Sequence, residues 1–302
     1  MDQVSAAIMF GRILRKTALV QSISTRKTMF RRFCYLAAIA ITVTVSTSCG
    51  PETINEVAAS RAVLNESSGE IDLPLEAYAM NSDEYRLVSH ANAILVARCM
   101  QKTGRDFPRA NQDWSKLTVF PDRRYGLWSM TEAEANGYEV AESSESQRVA
   151  QLEGGYAEDW WRAMYSCFDE VERLPLMGVN TTPSQPSSVD RGMLDSFNAL
   201  IATDAFSEIR GFWRECIESK GISPDDSARV LVPKIPEPGE SQIRIAIGDV
   251  ECKQQHSVVQ KLADAEAVIQ AGYIRSHEAE LVEYRKQADE IVAKARDIIA
   301  SG

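Results

Sequence analysis

Cys99-Met100-Gln101-Lys102-Thr103-Gly104 and Cys216-Ile217-Glu218-Ser219-Lys220-Gly221 decide how the chain is read. In each, a cysteine is followed by an apolar residue and stands about one turn before a glycine that ends a helix. An irregular, proline-containing stretch comes next, and then a second cysteine in a helical context: Cys167 after the first, Cys252 after the second. The shared plan is a weak internal repeat of two units, each a pair of helices held by its own disulfide. Four cysteines allow three pairings, and the repeat favours Cys99–Cys167 with Cys216–Cys252. Loops of that size contribute roughly 4 kcal/mol each on the chain-entropy account. The expected fold is mainly α, with two disulfide-stapled helical units, long irregular loops and a long C-terminal helix.

Working outward, Val88, Ala91, Leu95 and Cys99 share one face of a helix that starts near Ser82. Residues 105–130 are punctuated by Pro108, Pro121 and Gly126. Their aromatics, Trp114, Phe120, Tyr125 and Trp128, are expected to fold down onto the helices. Thr131-Glu132-Ala133-Glu134 reads as a capping box; residues 141–153 read as helix or loop. Gly154-Gly155 breaks the chain before a helix over Tyr156–Leu174, with Trp160, Met164, Cys167, Phe168 and Val171 as its stripe. Beyond a Ser/Thr/Pro linker at 178–189, Leu194, Phe197 and Ile201 set a face. Ile209, Trp213, Cys216 and Ile217 continue it after a break near Thr203-Asp204. Ile243, Ala246, Ile247 and Val250 favour a helix, although Ile243, Ile245 and Ile247 also fit a strand. From about Lys253 to Ile299 the apolar steps are three and four, with a stutter at Tyr273, His277 and Leu281. Glu266 and His277 weaken that seam. The tail packs along its own body or on a partner helix.

The N-terminal region gives the location. Arg31-Arg32 precede an apolar run, Phe33–Val45, which leads to Ser46-Thr47-Ser48-Cys49. The run is shorter than the roughly 20 residues of a spanning helix, so residues 1–48 read as a cleaved export signal, with Met29 as the expected true start. Residues 49–81 read as a tether, 82–177 as the first helical unit and 190–302 as the second.

Composition narrows the partners. The chain has 33 Lys+Arg and 43 Asp+Glu; the first 48 residues hold seven bases and one acid, so 26 and 42 remain, a net charge near −16. Such a surface repels nucleic acid and anionic lipid headgroups. An even count of cysteines in an exported chain fits an oxidising compartment.

A signal ending on a cysteine resembles the bacterial lipoprotein signal, in which a diacylglycerol is attached to that cysteine. Ser46 departs from the family's usual aliphatic residue; Thr47, Ser48 and Gly50 match it. The Cys-Met-x-x-x-Gly helix end, Arg124-Tyr125-Gly126 and Asp249-Val250-x-Cys252-Lys253 resemble elements of uncharacterised secreted lipoproteins of actinobacteria. The resemblance implies a lipid-anchored protein on the extracytoplasmic face of the cell membrane, lipidated at Cys49. It brings no activity and no site residues.

The motifs of nucleophile elbows, phosphate loops and dinucleotide folds are absent from the sequence. Cys252 and His256 stand four apart, as a metal pair can, but lack two further ligands. Glu158-Asp159 before Trp160-Trp161, and Arg123-Arg124-Tyr125 in the aromatic loop, are the other candidates; each also reads as ordinary packing. No catalytic, cofactor-binding or metal residue is assigned. The leading expectation is a non-enzymatic binding or scaffold module. The alternatives are an envelope glycan or peptide hydrolase using carboxylates, and an assembly protein using the C-terminal helix.

Overall fold

A computed structural model describes residues 61–118, 120–177 and 186–301. The signal, Cys49 and most of the 178–189 linker lie outside the described residues. Two short antiparallel strands come first, β1 (Val63–Asn65) and β2 (Glu70–Asp72), then a 3-10 turn at Pro74–Tyr78. Eight α-helices follow: α1 (Ser82–Lys102), α2 (Met130–Asn136), α3 (Ser144–Gly154), α4 (Glu158–Glu170), α5 (Ser188–Ile201), α6 (Asp204–Ser219), α7 (Glu240–Gln255) and α8 (Val258–Ala300). Among the described residues, no helix is long and apolar enough to cross a membrane.

The expected disulfides form. Cys99–Cys167 joins α1 to α4 and Cys216–Cys252 joins α6 to α7, both with Cα atoms 5.7 Å apart. The repeat is visible in the backbone as well. Arg105 N–H donates to Met100 O (3.1 Å) and Ile222 N–H to Ile217 O (2.9 Å), across Gly104 and Gly221 at φ +71° and +75°. These are the six-to-one bonds of two equivalent helix ends.

The 43-residue helix α8 is the spine. Its first half contributes Val259, Leu262 and Ala263 to a core with Trp213, Ile217, Phe206, Tyr125 and Cys252. Its second half contributes Ala288, Ile291, Val292 and Ala295 to a core with Val88 and Ala91 of α1. Between them, at the heptad stutter, His277 leaves helical geometry (φ −128°, ψ 18°). Its Nδ1 lies 3.0 Å from Tyr273 O, and its ring stacks on Tyr273 at 4.0 Å. The kink re-aims the apolar face from α5 and α6 to α1. The two stapled units therefore share the spine within one body.

Several expectations are corrected. Residues 62–81 are not tether: Ile71, Leu73 and Leu75 are buried, and Ala62 N–H donates to Asp264 Oδ1 (3.1 Å). Ser129, not Thr131, caps α2, accepting from Glu132 N–H (3.3 Å). Helix α4 stops at Glu170, and Leu174 and Met177 instead lie against the α1–α8 core. The linker ends earlier than expected, because Ser187 and Asp190 form a capping box that starts α5. Leu194 is 54% exposed; α5 turns Val189, Gly192, Ser196 and Leu200 inward instead. Gly192 allows this close approach, since a Cβ there would lie 2.5 Å from the Tyr273 ring. The tail is not continuous with α7, for Ser257 adopts φ +48° and separates α7 from α8.

One ion pair is wholly internal. Lys253 Nζ donates to Asp249 Oδ2 (2.9 Å) and Leu127 O (2.7 Å). Trp213 Nε1 donates to Asp249 Oδ1 (2.7 Å), and Tyr138 OH to Oδ2 (2.9 Å). Burial pulls the Lys253 pKa down, while Asp249 opposes the shift. Removing one partner strands the other charge. Asp249→Ala is expected to cost about 3–5 kcal/mol, read as a lower midpoint in denaturant unfolding with both disulfides intact.

Candidate functional site

The site grows from the loop between Phe120 and Trp128. Trp128 Nε1 donates to Asp122 O (2.8 Å) and Arg124 N–H to Asp122 Oδ1 (2.8 Å). This local closure aims Arg124 and Tyr125 at α8. Arg124 then donates to three carboxylates: Nε to Asp122 (3.0 Å), Nη1 to Glu266 (3.0 Å) and Nη2 to Glu76 (3.2 Å). Burial works against the Arg124 charge, but Asp122, Glu266 and Glu76 outweigh it and raise its pKa.

Three acids share one guanidinium, and they receive unequal sets of donors. Glu266 is fully buried and receives Arg124, Tyr125 OH (2.6 Å) and Gln270 Nε2 (3.0 Å). Asp122 receives both Nε and a backbone amide from Arg124. From Arg124, Glu76 receives only the longest of these bonds. Burial pushes the Glu76 pKa up to about 7; Arg124 pulls it down, Asp122 raises it, the Leu73 backbone lowers it and Asp72 raises it. Near neutrality Glu76 exchanges its proton.

Glu76 borders a cleft of about 650 Å³. Glu70, Asp72 and Asp122 also line it, with Leu73, Met80 and Met193 as apolar surface and Phe120 at its edge. Phe120 is 76% exposed, so this one aromatic of the loop does not fold down. Among the described residues, the only cation lining the cleft is Arg285. It is already held by Glu84 (2.9 and 3.0 Å) and Asp289 (2.5 and 3.0 Å). Glu70 accepts from Ser82 Oγ (2.8 Å) and Ser68 Oγ (3.0 Å). Among the described residues, no three His, Cys, Asp or Glu side chains converge as a metal site.

The other sequence candidates settle elsewhere. Cys252 is in its disulfide, so it does not join His256 as a metal pair; His256 stacks on Phe212. Asp159 pairs with Arg105 (2.7 Å), and Trp160 is buried with Nε1 on Asp106 O (2.8 Å), so that segment is no open sugar platform. Arg123 binds the carbonyls of Tyr138 and Glu139 (2.5 and 3.2 Å). Sequence reasoning missed Glu76, Asp122 and Glu266. Only Glu266 carried a signal: an acid at an apolar step of α8 needs a buried partner.

No family model, curated protein or solved structure matches this chain.

Glu76 gives stability a definite pH dependence. Its folded pKa lies above the ordinary value, so between about 4.5 and 7 the folded state holds a proton that the unfolded state releases. That contribution is full below the unfolded value and is lost as pH rises through the folded one. Glu76→Gln is expected to flatten the fall in melting temperature across this window and to melt above the parent at pH 8. Thermal unfolding at matched ionic strength checks both.

Proposed function

We propose that the chain is an exported protein fastened at Cys49 to the outer face of the cell membrane, and that its body binds a ligand in the Glu76 cleft without transforming it. The observation that carries the binding reading is the cleft itself: its volume falls in the ordinary range for ligand sites, roughly 300–1,000 Å³, and it combines apolar surface with polar groups held in place by the protein. The two disulfides support the exported part of the reading, since such bonds persist in oxidising compartments. Ala62 is docked on α8. The chain from Cys49 to Arg61 reaches at most roughly 40 Å, which would keep the body close to the bilayer. Two acyl chains suffice for such an anchor, and an acidic body adds no attraction of its own.

One observation favours a second reading, an envelope hydrolase. A carboxyl that holds its proton near neutrality has the property of a general acid. Loss of cell-wall polymer turnover in Glu76→Gln, with ligand binding kept, would favour it.

Intact mass of the native protein from a membrane fraction tests the main reading. The expected species begins at Cys49, carries acyl chains and lacks the four hydrogens of two disulfides. Cys49→Ser should move the protein out of the membrane fraction. A cytosolic chain that keeps residues 1–48 with all six cysteines as free thiols overturns the reading.

A further inference from the structure

We propose that the cleft takes an organic cation, an ammonium or guanidinium group carried beside an apolar or aromatic group. This rests on the binding reading and names the ligand's chemistry. Three features of the cleft select it. First, among the described residues four carboxylates line it, of which Glu76 and Asp122 share Arg124 with Glu266, and the one lining cation, Arg285, is neutralised by Glu84 and Asp289. The interior therefore carries surplus negative charge. Second, no three of the carboxylates make a metal site among the described residues. An extended organic ion needs no such convergence of ligands. Third, the lining includes Leu73, Met80 and Met193, and Phe120 offers a solvent-exposed ring at the edge. An aromatic face beside carboxylates attracts cations and stacks on flat apolar groups.

The groups around Glu76 tie this binding to protons. Glu70 and Asp72 on β2 and Asp122 in the loop add negative charge near it, and Arg124 is shared with Glu266 of α8. Arg285 of α8, across the cleft, is occupied by Glu84 and Asp289. A bound cation and a bound proton satisfy the same carboxylate and so exclude one another. With Glu76 titrating at about 7, affinity rises about tenfold between pH 6 and pH 8.

Titration of the disulfide-intact protein with phenethylammonium, 2-phenylethanol and phenylacetate tests the assignment, since the three probes share a ring and differ in charge. Saturation-transfer NMR at pH 8 is expected to show saturable binding of phenethylammonium, weaker with added salt, and binding of the other two at least several-fold weaker. An acetyl-Lys-Phe-Lys-amide arm distinguishes a peptide-borne cation from a free amine; preference for either supports the class. Glu76→Gln should weaken binding and abolish the pH dependence. Phe120→Ala should weaken binding without moving the melting temperature, because that ring stands in solvent. Equal binding of the three probes, or preference for phenylacetate, overturns the cation assignment but leaves a binding cleft. A flat pH profile in the unaltered chain overturns Glu76 as the cation's partner. No binding by any probe overturns both this inference and the binding reading.

Discussion

Glu266 is a carboxylate with no exposure, placed at an apolar step of the longest helix. A buried charge of this kind is tolerated only with partners that replace its water, and those partners organise the molecule. Arg124 and Tyr125 come from a loop more than a hundred residues earlier in the chain and are drawn onto α8 by this one group. Gln270, one turn on, donates to Glu266 and accepts from Leu75 N–H (3.0 Å), which fixes the 3-10 turn carrying Glu76. The turn carrying Glu76, the loop at the cleft and the first described segment of the body thus all hang on the same carboxylate.

That dependence explains which parts were legible in the sequence. Local rules gave the parts that local forces make. The two helix ends at Gly104 and Gly221, the break at Thr203, and the helical character of α7 follow from capping and apolar spacing. The stutter at His277 marked the kink because a step of four cannot keep one straight face on one partner. The pairing of the cysteines followed from a repeat, and equivalent hydrogen bonds at both helix ends account for it. The misjudged parts are those that tertiary contacts decide. Leu194 is apolar yet faces solvent, since the small Gly192 lets Tyr273 approach from the other side. Residues 62–81 look like a polar tether, but alternate residues of that stretch, Ile71, Leu73 and Leu75, are all buried. The site was hidden for the same reason: Glu76, Asp122 and Glu266 are far apart in sequence, and nothing near any of them names the others.

The two stapled units do not behave as independent pieces. Each disulfide ties neighbouring helices on one side of the molecule, Cys99–Cys167 in one half and Cys216–Cys252 in the other. Neither bond crosses between them. The crossing is made by α8, whose two halves pack on different partners, and by Arg285, which joins its second half to Ala79 O (2.5 Å) and Glu84. Covalent staples hold each half. Burial and a few charge-assisted bonds hold the halves to each other, and the cleft lies along that second, non-covalent set.

The location of the unbalanced charge follows from this layout. Three carboxylates around one guanidinium cannot all be well compensated, so one position must bear the deficit. Had it fallen on Glu266, a bare charge would sit in the core with no water to reach it, at a cost of several kcal/mol. Tyr125 and Gln270 prevent that. Asp122 is protected by the fold of its own loop, which gives it a backbone amide. The deficit therefore falls on Glu76, whose side chain is one-third exposed and opens on the cleft. A proton can relieve it there without disturbing the core, and so can any cation small enough to enter. The core stays satisfied in either case, and the choice between proton and cation is left to the surface.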